Sequence, residues 1–73
     1  MKEEVMSWFI VEVYGGVHGD RVERIIAGPC ESRDAAWEMA PAPPTGAWSF
    51  IAIEASSSEE ALLKAMEEIG EEA

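Results

Sequence analysis

"SWFIVEVY", residues 7–14, decides the fold. β-Branched and aromatic side chains dominate it, which is the composition of a strand. After Ser7 its odd positions, Phe9, Val11 and Val13, are uniformly apolar; its even positions, Trp8, Ile10, Glu12 and Tyr14, are mixed. Side chains alternate between the two faces of a strand, so the odd face is expected to meet the core. "GGVHGD", residues 15–20, then supplies three glycines and an aspartate, the chemistry of a hairpin loop. "RVERIIA", residues 21–27, reads as the returning strand, ended by Gly28-Pro29 because proline has no N–H for a ladder.

Downstream, Ser32 is placed to cap a helix over "RDAAWEMA", residues 33–40, with Asp34 in its positive first turn. Pro41 stops that helix, since its ring clashes with the preceding turn. "APAPPTG", residues 40–46, is a stiff connector, and "AWSFIAIEA", residues 47–55, is a third strand. There Ile51 and Ile53 share one face while Trp48, Phe50 and Glu54 share the other. A second helix follows, started by a capping box of Ser56 with Glu59 or Ser57 with Glu60. Leu62, Ala65, Met66 and Ile69 form its apolar face, opposed by Glu60, Lys64, Glu67 and Glu71 with Glu68 beside them. Gly70 frays or ends it.

The predicted order is β-β-α-β-α, a single α+β domain over residues 1–73. A right-handed crossover through the first helix puts strand three beside strand one. The sheet is then antiparallel in the order 2-1-3, and both helices are expected on one face. That arrangement leaves Trp8, Ile10, Tyr14, Trp48 and Phe50 on an open face together with Glu12 and Glu54. So much exposed aromatic surface points to an interface.

Seventy-three residues lie near the lower limit for folding alone, so a homodimer or a partner that buries more surface fits the size. The formal charge of −10 excludes nucleic acid and anionic membranes as direct ligands, because both would repel the chain. Its electrostatic partners are positive: a basic nucleic-acid-binding protein, a cationic groove, or metal ions. Cys30 is the only cysteine, which excludes an internal disulfide and fits a reducing compartment. No stretch is long enough to span a bilayer, and the amino-terminal run lacks a signal peptide's pattern, so a cytoplasmic location is expected.

The chemistry-bearing residues form no catalytic set. His18, Asp20 and Cys30 lack the ligand number and spacing of a zinc site, and His18 has no third group to orient it as a base for Cys30. No metal or cofactor is expected. "GGVHGD" lies between strands and not at a helix N-terminus, so it is no phosphate cradle. "PAPP", residues 41–44, lacks the basic flanks of a proline-recognition ligand. Glu67/Glu68 and Glu71/Glu72 lie on the wet side of a helix, where carboxylates keep ordinary acidity, and no calcium-loop pattern occurs.

The acidic surface remains. Lys64 can offset Glu60 or Glu68 at four-residue spacing, but several carboxylates stay unpaired and no basic region compensates. Carboxylates one helical turn apart, about 5.4 Å, approach the spacing of phosphates along a strand, roughly 6–7 Å. With "SSSEEALLKAMEEIGEEA" (residues 56–73), the "GPCESRDAAWEMA" strand-to-helix turn (residues 28–40), its short length and its charge, the chain resembles small acidic proteins of phages and mobile elements, anti-CRISPR proteins among them. The resemblance is one of character across the whole chain. It implies a compact α/β inhibitor that binds the DNA-recognition surface of a CRISPR surveillance complex.

The expected function is therefore non-catalytic: an acidic inhibitor occupying the nucleic-acid site of a basic partner. Glu60, Glu67, Glu68 and Glu71 would face the partner's lysines and arginines, Glu12 and Glu54 would add charge, and Trp8 and Trp48 would anchor. The alternative is a regulatory or accessory subunit, antitoxin-like, that binds a partner or itself through the aromatic sheet face.

Overall fold

β1 (Ser7–Gly16) is the middle strand of a three-stranded antiparallel sheet ordered β2-β1-β3, with β2 at Gly19–Cys30 and β3 at Trp48–Ala55. Helices α1 (Arg33–Met39) and α2 (Ser58–Ile69) complete the β-β-α-β-α order. The computed structural model describes residues 5–16, 19–41, 46 and 48–70, the side chains of residues 16, 19 and 20 excepted. The fold class and strand order match the sequence reading. His18, the connector at 42–45, Glu71 and Glu72 lie outside the described residues, as does the side chain of Asp20.

The placement of the helices does not match. Ile10 and Val11 are neighbours in sequence, point to opposite faces of β1, and are both fully buried. Phe9, Val11, Ile53 and Ala55 pack with Ala61 and Ala65 of α2. Ile10, Ala27 and Cys30 pack with Ala36 of α1, and Trp8, Phe50 and Ala52 close around them. The two helices therefore cover opposite faces of the sheet. The physical reason lies in "WFIV", residues 8–11, an unbroken apolar run of the kind a strand covered on both sides requires. Helices on one face alone would leave Trp8, Ile10 and Phe50 in water, at about 1.5–3 kcal/mol of lost burial for each large side chain. Ala35, Ala36 and Ala40 give α1 a surface smooth enough to lie close on the sheet.

β2 also runs further than expected. It continues through Gly28 and Pro29, joined by a cis peptide bond, and pairs Cys30 with Trp8. Proline is tolerated because β2 is an edge strand and its ladder is irregular there. The register shifts three times along β1–β2, between Trp8 and Ile10, Ile10 and Val11, and Glu12 and Val13. Each shift bends the strand and spoils it as a template for further pairing. β3 differs: its register with β1 is unbroken from Ser7↔Ala55 to Tyr14↔Trp48. The hairpin's strands extend into the glycine-rich segment, pairing Gly15 with Asp20 and Gly16 with Gly19.

Both helix starts follow the sequence. Ser32 Oγ accepts from the Ala35 N–H at 3.1 Å, and Ser57 Oγ accepts from the Glu60 N–H at 3.2 Å. Gly70 ends α2 in the left-handed conformation at φ 73°, its N–H directed at the carbonyls of Met66 and Glu67. Among the described residues, no helix is long and apolar enough to cross a membrane.

Candidate functional site

β3 exposes one long edge, and the two helices stand on either side of it. Between them lies a groove of about 680 Å³ floored by Phe50 to Glu54. Arg33 and Trp37 of α1, with Trp8 of β1, form one wall; Lys64, Glu67 and Glu68 of α2 form the other. Trp8, Phe50, Ala52 and Glu54 lie on the α1 side of the sheet by the alternation of β1 and β3, and Ile51 and Ile53 lie on the α2 side.

The groove's charges are unequal. The Lys64 ammonium is committed twice, donating to the main-chain oxygen of Glu54 at 2.9 Å and lying 3.2 Å from Glu60 Oε1. Among the described residues, no cation lies within ion-pair distance of Glu54, Glu67 or Glu68. All three are exposed. Trp37 keeps 37% of its surface open beside them, a large apolar side chain at the mouth of an acidic cleft.

The predicted site residues separate into three groups. Trp8, Glu54, Glu67 and Glu68 come together in the groove. Glu60 does not join them as a free anion: its carboxylate accepts from the Ser56 N–H at 3.2 Å and the Ser56 hydroxyl at 2.9 Å. Those two bonds, with the Lys64 ammonium, hold its pKa below the ordinary 4.5 against a small opposing effect of burial. The reciprocal bond of the capping box thus reaches the residue before the cap. Glu12 is half-buried and pairs with Arg24, its cross-strand neighbour, at 3.1 Å. Trp48 sits at the far end of the sheet, edge-on to Tyr14 with ring centroids 4.8 Å apart, and Arg21 lies 5.2 Å from the Tyr14 ring centre.

The open aromatic face is correspondingly smaller than expected. Ile10 is fully buried and Trp8 and Phe50 are half-buried under α1, so only the Tyr14–Trp48 end remains outside the helix's reach. Cys30 is buried too, its thiol directed at the Met39 sulfur at 3.2 Å. Sequence reasoning missed Arg33 and Trp37. Their four-residue spacing on α1 was the available signal, because it sets both on one side of a helix. No protein-family model matches the chain, nor does any curated protein or solved structure.

Proposed function

We propose that this chain is a non-catalytic acidic binding protein that occupies the nucleic-acid-binding site of a basic partner, as anti-CRISPR-type DNA mimics do against a CRISPR surveillance complex. The observation that carries this reading is the meeting of Glu54, Glu67 and Glu68 at one groove, none of them in an ion pair among the described residues, on a chain of net charge −10. Fixed, solvated carboxylates attract a lysine- and arginine-lined cleft, and they cost little to desolvate only where that cleft supplies paired donors. The acidic set differs from the one the sequence suggested, since Glu60 is engaged within the chain. The alternative is a regulatory or accessory subunit that binds through the aromatic sheet face, where the Tyr14–Trp48 end and the groove-lining parts of Trp8 and Phe50 would make the contact.

The test is competition. Purified CRISPR surveillance complexes, and a panel of other basic DNA- and RNA-binding proteins, are titrated with the chain in the presence of labelled nucleic acid. Displacement that weakens with salt, and is lost in the triple variant Glu54→Gln/Glu67→Gln/Glu68→Gln, supports the reading. Retention of nucleic acid by every member of the panel at low salt overturns it.

A further inference from the structure

β3 combines three features of a strand-addition site. It is an edge strand, its pairing with β1 is regular along its whole length, and a groove runs beside it. An edge strand presents unpaired N–H and C=O groups that another extended chain can take up, and folded proteins normally blunt such edges with bulges, prolines or inward charges. β2 carries those devices in its register shifts and Pro29; β3 carries no proline and no shift. The Glu54 carbonyl accepts from the Lys64 ammonium on the groove side, as a carbonyl on the open edge does. By the two-residue period of a strand, the main chains of Phe50 and Ala52 face the same open side.

The walls specify what would lie there. Successive side chains of an added strand point alternately to the α1 side and the α2 side. The α2 side offers Glu67 and Glu68, with its single cation already committed to Glu60 and Glu54. The α1 side offers the rings of Trp8 and Trp37, with one charge of each sign, Arg33 and Glu54, that form no ion pair among the described residues. We infer that the β3 edge captures an extended segment of a basic partner by strand addition, with lysine or arginine at alternate positions toward α2 and apolar side chains between them toward α1. This rests on the proposed function for the basic character of the partner. A second copy of this chain is the poorer occupant: two-fold pairing of β3 edges would set a second chain of net charge −10 against a groove in which Glu54, Glu67 and Glu68 outnumber Arg33 and Lys64.

The experiment uses four capped octapeptides: one alternating lysine and valine, two forms of it N-methylated at one or the other set of alternate residues, and a glutamate–valine peptide. Binding is read by tryptophan fluorescence and by the backbone amide resonances of the 15N-labelled chain. The lysine–valine peptide should bind and shift the amides of Phe50 and Ala52. N-methylation of one alternate set should weaken it about tenfold or more, because it removes main-chain donors while keeping charge and side chains; methylation of the other set should change little. The glutamate peptide should not bind.

Equal binding by all lysine peptides, or by none, overturns strand addition. So does slow hydrogen exchange of the Phe50 and Ala52 amides in the free monomer, which would mean the chain covers its own edge. A dimer in sedimentation with those amides protected would assign the edge to a second copy and likewise overturn it. Displacement of nucleic acid without peptide binding removes this inference and spares the proposed function. Peptide binding without displacement does the reverse.

Discussion

The Lys64 ammonium donates to the main-chain carbonyl of Glu54 at 2.9 Å, tying the middle of α2 to the end of the strand that precedes it. The same ammonium neutralises Glu60 one turn earlier on the helix. Lys64→Met should keep the packing of the aliphatic stem and lose both contacts. The loss is about 0.5–1 kcal/mol, since the pair is partly exposed and solvent screens it. Urea unfolding would read it as a lower midpoint with an unchanged slope. Because Lys64 also stands in the groove wall, the variant should bind a basic peptide at least as well as the parent.

Gly28 sits where a side chain cannot. Its φ of 109° lies in the region that L-residues avoid, and an added Cβ would stand 2.5 Å from the Trp8 carbonyl oxygen and 2.9 Å from the Phe9 ring. Gly28→Ala should therefore cost about 3 kcal/mol or more, from backbone strain together with overpacking. Gly70→Ala is the control. That glycine also has a positive φ but open space around it, so its substitution should cost about 1–2 kcal/mol. Thermal unfolding followed by circular dichroism ranks the two directly.

These glycines mark where the sequence was legible and where it was not. Gly70 follows an amphipathic run of helical period, a local signal that a helix ends, and it does end there. Gly28 precedes a proline, which reads as a strand stop; the chain continues the strand because β2 has no neighbour on its outer side to need that N–H. The strand order could be read because turn chemistry and connection length constrain it. The covering of both sheet faces could not be read from the alternation of residues 7–14, since Glu12 made the even face look wet. Glu12 is instead neutralised by Arg24, which arrives only through the register of β2. The groove was half legible: Glu67 and Glu68 stood out by composition, but the opposing wall depends on which face α1 covers.

Glu60 gives the stability a sign with pH. Its pKa is lowered in the folded chain by the two Ser56 bonds and by Lys64, whereas the unfolded chain titrates near 4.5. The folded state therefore binds this proton less readily than the unfolded state. The stabilisation is fully present above 4.5 and is lost as pH falls through the lowered folded value. The chain's net repulsion also changes with pH and contributes equally to parent and variant in the comparison that follows. The difference between parent and Glu60→Gln isolates the effect. Their melting temperatures should differ most above pH 4.5 and converge as pH falls through the lowered folded value; a difference independent of pH would mean that the charge of Glu60 contributes nothing.

Covering the sheet on both sides makes equal demands on residues of opposite parity. Ile10 is fully buried on the α1 side, and Ile53 is 8% exposed on the α2 side. Ile10→Val and Ile53→Val should each cost about 0.5–1.5 kcal/mol, the usual penalty for removing one buried methyl group. In a domain this small, 1 kcal/mol moves the melting temperature by about 4–8 °C, so both changes are measurable. The two side chains belong to separate clusters on opposite faces, and the double variant should lose close to the sum. If the even face were open to water, Ile10→Val would be nearly silent while Ile53→Val kept its cost. The comparison tests the placement of α1 without disturbing its helix, and with it the groove wall formed by Arg33 and Trp37.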